Sequence, residues 1–209
     1  LALTVLVGLI SIRELSKVNE TTQRLSAHWM PGIRVIEDIK SQVARIRTRE
    51  LQYIISTEPS EMDKYDKVIE QDLADLKRMQ DDYVKLLESP EEKQTYAEFL
   101  DLWQRYMAES VKVRAAARAN DDALAKQLIR GESNKLIVAL RANVDKAVGM
   151  YTEGGRTAAA DGTRRYEESR TLIVMLICGS VLLGAVGATL LTRWLMRRLG
   201  GEPDYATEI

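Results

Sequence analysis

An uncharged apolar run near the C-terminus limits what this chain can be more than any other feature. Thr171 to Thr192 holds 22 residues without a charge. At about 1.5 Å of rise per helical residue the run spans about 33 Å, the hydrocarbon thickness of a bilayer. Arg170 closes one end; Arg193, Arg197 and Arg198 close the other. A second apolar stretch, Leu1 to Ile12, opens the chain without an initiator Met. It is too short to span alone and reads as the cut end of another spanning helix. The alternative is a signal-peptide remnant. Against it, no small-residue cleavage site follows, and the polar helical pattern continues directly from it.

Between the two runs lies a charged segment, residues 13–170. Two membrane passes around one soluble domain is the layout of a receptor. The net charge of −1 argues against nucleic acid as a partner. The one cysteine, Cys178, sits inside the apolar run, so there is no disulfide framework and the soluble part relies on core packing. With 12 Gly and 4 Pro the chain has few places to turn. This is the composition of long helices.

The first soluble helix extends from Ile12 to about Thr57, with a kink or brief break expected at Pro31-Gly32. Ile36, Ile39, Val43, Ile46 and Tyr53 form its heptad-like stripe. A second helix is expected over Ser60–Glu88, with Met62, Tyr65, Ile69, Leu73, Leu76, Met79, Tyr83 and Leu86 on one face. Ser89-Pro90-Glu91-Glu92 is a strong helix start: Ser89 caps, Pro90 suits the first position and Glu92 completes a capping box. A third helix follows to Arg118, with Tyr96, Phe99, Trp103, Tyr106, Ser110, Val113 and Ala117 facing inward. Ala119-Asn120-Asp121 interrupts it. A short helix then runs to about Arg130, and Gly131 turns the chain. The fourth helix begins near Glu132 and meets no clear stop before the membrane. No strand pattern appears.

Four amphipathic helices with short connections predict an all-α, antiparallel up-down-up-down four-helix bundle continuing into transmembrane helices. Helices one and four then share the membrane-proximal end, as two spans require. The expected division is a truncated first transmembrane helix (1–12), the bundle (13–170), a second transmembrane helix (171–192) and a cytoplasmic segment (193–209). The arginines after the span carry no acid among them, which places that end in the cytoplasm and the bundle outside it.

Three stretches resemble a known family, the bacterial methyl-accepting chemotaxis proteins with a four-helix-bundle sensor domain. Trp103-Gln-Arg-Tyr106 resembles the W-x-x-Y of the third helix of such sensors. Ala123 to Ala147, with Leu128, Gly131 and Ser133, resembles their short-helix, Gly-turn, fourth-helix stretch. Leu199-Gly-Gly-Glu-Pro-Asp-Tyr-Ala206 resembles the first helix of a HAMP linker. The resemblance implies a homodimer in the bacterial inner membrane with a periplasmic sensor. It also implies a cytoplasmic hairpin beyond the chain that binds a histidine kinase and an adaptor. Two other readings stay open. The chain could be the sensor half of a histidine kinase or cyclic-dinucleotide enzyme, or an adaptor bundle that senses through a partner protein.

No catalytic set is present, so no enzyme activity and no cofactor are expected. His28 is the only histidine, which leaves transition-metal binding unsupported. The arginines of helix one carry more information. Arg45 and Arg49 lie four apart on one face, where like charges repel unless an anion joins them. The alternative is that the arginines form a solvated helix face, with Glu50 as a local partner. Counted along the helices, both stand roughly 50–55 Å from the membrane. Ser133, Asn134 and Arg141 of helix four and Tyr106 of helix three fall near that level. Guanidinium groups match carboxylates with two donors. The expected ligand site is therefore Arg45, Arg49, Arg141, Ser133, Asn134 and Tyr106, and the expected ligand a small carboxylate. Arg47 lies on another face and is expected to matter less. In the membrane run, Ser180-x-x-x-Gly184-x-x-x-Ala188 has the spacing that lets helices approach closely.

Overall fold

The computed structural model describes residues 2–199. The stretch that resembles a HAMP helix lies outside them from residue 200 onward. Six α-helices run α1 Ala2–Arg24, α2 Met30–Ile55, α3 Pro59–Val84, α4 Pro90–Arg118, α5 Asp122–Arg130 and α6 Glu132–Leu199. A π-helical turn, Leu25–Trp29, separates α1 from α2. The described residues contain no strand.

Local chemistry sets the boundaries. Pro31 has no N–H to offer the Ala27 carbonyl, and its ring crowds the turn before it. The chain absorbs this with the π turn, in which the Met30 N–H donates to the Leu25 carbonyl. The expected break at Pro31 is thus a π turn ahead of a continuing helix. At the start of α4 the Ser89 side chain accepts from the Glu92 N–H at 3.1 Å, and the Glu92 carboxylate takes the Ser89 N–H at 2.8 Å. This is the expected capping box. Asn120, at φ 56°, takes the left-handed conformation that ends α4. The Asp121 side chain then caps α5 by accepting from the Leu124 N–H.

The described residues form two compact units, residues 23–158 and residues 2–22 with 159–199. In the first unit α2, α3, α4 and the start of α6 make the bundle. Ile36, Ile39, Val43 and Ile46 of α2 share a core with Leu76 and Tyr83 of α3, Phe99 and Tyr106 of α4, and Leu136, Leu140, Val144 and Tyr151 of α6. A smaller cluster of Tyr53, Met62, Ala116, Ala117 and Ala125 closes the far end under α5. Neighbouring helices run antiparallel: Tyr53 at the end of α2 meets Met62 at the start of α3, and Tyr151 on α6 lies against Gly32 at the start of α2.

That last contact is close. A Cβ on Gly32 would fall 2.0 Å from the Tyr151 ring, and one on Gly154 would fall 2.2 Å from the Trp29 indole. Each helix supplies a glycine for the other's ring. The Tyr151 hydroxyl also donates to the Leu86 carbonyl at 3.3 Å, which ties in the α3–α4 turn. His28, buried beside these rings, has one ring nitrogen 3.5 Å from the Glu88 carboxylate and the other 3.4 Å from that of Glu92.

In the second unit the Ser169 hydroxyl donates to Glu14 at 3.0 Å. From Leu172 onward the large apolar side chains are mostly exposed, among them Met175, Leu182, Leu183 and Leu190. The last helix contains a window apolar enough to cross a membrane, and none of that window is buried.

Candidate functional site

An open groove of about 930 Å³ lies between the second half of α2, α5 and the first turns of α6. Its size is that of pockets that take small molecules, about 300–1,000 Å³. Leu51 and Ile55 of α2 and Val138 of α6 form an apolar wall and are exposed. Four cations, Arg47, Lys126, Arg130 and Arg141, line it against one carboxylate, Asp122. Lys126 lies 4.0 Å from Asp122. Neither Arg130 nor Arg141 has a carboxylate partner among the described residues. A groove with an apolar wall and surplus guanidinium donors suits a small anion with an apolar body.

Arg47 reaches from this groove into the core. It is 7% exposed. Its Nη1 donates to the Ser133 hydroxyl at 2.8 Å, and its Nη2 donates to the Ile129 carbonyl at 2.9 Å. One side chain of α2 thus holds both the end of α5 and the start of α6. The same Nη1 lies 3.8 Å from the carboxylate of Glu50, one turn along α2. Glu50 is 1% exposed. It accepts from the hydroxyls of Tyr106 and Ser110, both on α4. Burial pushes the Glu50 carboxyl above its ordinary 4.5; the hydrogen bonds of Ser110 and Tyr106 and the charge of Arg47 pull the other way. Burial and the Glu50 charge both push the Tyr106 phenol up, so it stays a donor.

The structure separates the residues expected to form one site. Asn134 and Arg141 line the groove. Ser133 is fully buried beneath it, bonded to Arg47. Tyr106 is fully buried on the Glu50 carboxylate. Arg45 is exposed and does not line the groove. Arg49 turns toward α3, where its Nε lies 3.8 Å from Asp72, and Nη1 donates to Gln52 at 3.1 Å. Arg47, expected on another face, is the buried arginine of the three. Ile46 and Arg47 both fall on the inward arc of α2, and the charge is tolerated there because Ser133, Ile129 and Glu50 surround it. The stripe itself held the signal. Between Ile46 and Tyr53 it steps a full heptad; the position it passes over is Glu50, and Arg47 lies beside Ile46 on the same inward arc.

A helical bundle that carries a basic, ligand-sized groove and shares its last helix with an apolar, membrane-length run defines a membrane-type sensor module. The chain belongs to the family described as the four helix bundle sensory module for signal transduction, which it matches over residues 1–166. It is also similar to a protein of Bacillus subtilis (strain 168) that carries the name sensory transducer protein YvaQ, with 21% identity over 207 residues. The match covers 99% of this chain and 36% of that relative, so the chain spans about a third of the relative's length.

Proposed function

We infer that this chain is the sensing and membrane-spanning part of a chemoreceptor that binds a small organic acid in the periplasm. The observation that carries the reading is the groove, where Arg130 and Arg141 face an apolar wall without a carboxylate partner. The carboxylate sits at these guanidinium groups and Arg47, and the apolar body of the ligand lies on Leu51, Ile55 and Val138. Arg193, Arg197 and Arg198 after the apolar run support a cytoplasmic C-terminal side. Asn134 and Arg141 belong to α6, the helix that also contains the membrane run. A ligand with different affinity for two positions of α6 shifts that helix, by no more than the difference in affinity. The signal then passes through the second transmembrane helix to a HAMP linker, and from there to a kinase and adaptor. Two copies of the chain pair through α2 and α6 and through the small residues of the span.

Calorimetry tests this with the full chain in lipid nanodiscs, titrated with a panel of mono- and dicarboxylates. At least one acid binds, and Arg141→Ala weakens it by roughly ten- to a hundredfold, the worth of a charge-assisted hydrogen bond. Arg45→Ala leaves the affinity unchanged. No binding by any acid, or equal losses in both variants, would sink the groove reading.

A further inference from the structure

Arg47 has two possible anionic partners, and the geometry does not let it serve both equally. One is whatever anion occupies the groove it lines. The other is Glu50, 3.8 Å behind it in the core. That distance is a loose ion pair rather than a hydrogen bond. Glu50 has little other charge to rely on. From α4 it faces the neutral hydroxyls of Tyr106 and Ser110 and, at longer range, Arg114. Arg114 is held by Asp66 of α3 at 2.9 Å. Asp72 of α3 is turned to Gln42 and Arg49. From α5 and α6 the groups around Arg47 are the Ile129 carbonyl and the Ser133 hydroxyl, both uncharged. Arg47 is therefore the cation nearest Glu50, and its charge favours the ionised carboxylate alongside the Ser110 and Tyr106 hydrogen bonds.

We propose that capture of an anion in the groove is coupled to uptake of one proton by Glu50. The inference rests on the groove being an anion site, as set out above. An anion that engages the guanidinium cancels part of the charge Glu50 depends on, and a buried carboxylate without a cation is costly enough to take a proton instead. The charges balance: one anion and one proton enter together, and the site's net charge is unchanged. Reciprocity follows from linkage. If the anion raises the proton affinity of Glu50, protonation of Glu50 raises anion affinity by the same factor. Anion affinity thus increases as pH falls, by up to about tenfold per pH unit for one proton. The sensor reports the concentration of its ligand and of protons as one quantity.

The first measurement needs no ligand. Infrared difference titration of the full chain in nanodiscs reads the protonated carboxyl that Glu50→Gln removes. Arg47→Met, which deletes the cation outright, moves the midpoint of that band to higher pH. Ser110→Ala moves it the same way through loss of a donor to the ionised form, and it stands in if Arg47→Met does not fold. The second measurement is calorimetry with benzoate, which is ionised throughout, at about pH 6 and about pH 8. The parent binds benzoate more tightly at the lower pH, and Glu50→Gln removes the difference. A band that does not move in either variant, or parental affinity equal at the two pH values, overturns the linkage while leaving the groove an anion site. Absence of benzoate binding together with failure of the whole carboxylate panel overturns both readings.

Discussion

At the groove end of the bundle, α2 meets α5 and α6 through a buried cation, Arg47, bonded to Ser133 and Ile129 and backed by Glu50. At the other end α2 meets α6 through rings seated on glycines, Tyr151 on Gly32 and Trp29 on Gly154. The first contact is electrostatic. Its strength depends on which groups hold protons and on what anion lies nearby. The second is steric, and neither pH nor ligand charge alters the room available to a ring. A sensor needs both kinds of joint. The adjustable one lies beside the groove, and the fixed one lies where α2 and α6 meet at the other end. Charge is buried at both ends, Arg47 and Glu50 beside the groove and Glu92 beside His28 at the ring end.

The sharpest break of this comparison is Arg47→Met. It leaves Glu50 buried without its cation, and chemical denaturation near pH 8 should show a loss of about 3–5 kcal/mol. The double variant Arg47→Met/Glu50→Gln should recover much of that loss. If the double variant is no better than the single one, Arg47 matters through Ser133 and Ile129 rather than through Glu50.

Gly32→Ala attacks the steric end. The added methyl meets the ring of Tyr151, and overpacking of this kind costs about 1–3 kcal/mol. That loss should be the same at every pH, unlike the loss at Arg47. Gly149→Ala, where a Cβ meets nothing within 4 Å, should instead gain roughly 0.5–1 kcal/mol. A neutral Gly32→Ala would show that the ring moves aside freely and that the joint is not fixed.

The third test is the pH dependence of stability. Glu50 has a folded-state value raised above its ordinary 4.5, so the folded chain holds more protons than the unfolded one across that window. Its contribution is fully present below about 4.5 and is lost as pH rises through the raised value. Glu50→Gln should remove this fall. Denaturation midpoints of parent and variant across pH should therefore diverge toward the alkaline side. Curves that stay parallel would mean that burial does not raise Glu50. The smallest effect is expected for Arg45→Ala. An exposed side chain away from the groove should change stability by less than about 0.5 kcal/mol.

Most of the fold was readable from the chain, because its signals are local or periodic. The Ser89–Glu92 box, the Asn120 break and the Gly131 turn each depend on a few adjacent residues. The stripes of α2 and α3 follow directly from burial of one face. The site was less legible. Asn134 and Arg141 both line the groove, but height along the bundle says nothing of azimuth. Arg45 and Arg49 share a helix face, yet one meets water and the other Asp72 of α3. The inward arc of α2 includes Arg47 and Glu50, and reading charges as surface hid both. Only the three-dimensional arrangement shows that Ser133, Tyr106 and Ser110 are placed to receive them.

Glu92 has a wider consequence than starting a helix. One of its carboxylate oxygens accepts from the backbone N–H groups of Glu88 and Ser89 at 2.7 and 2.8 Å, and the other lies 3.4 Å from His28 in the π turn. The first turn of α4 and the irregular turn before α2 therefore hang on one side chain. Neither can fray without exposing a buried acid, so the two should open as a single cooperative event. In native-state hydrogen exchange, the amides of Ser89 and Met30 would then share one opening free energy despite lying far apart in the sequence.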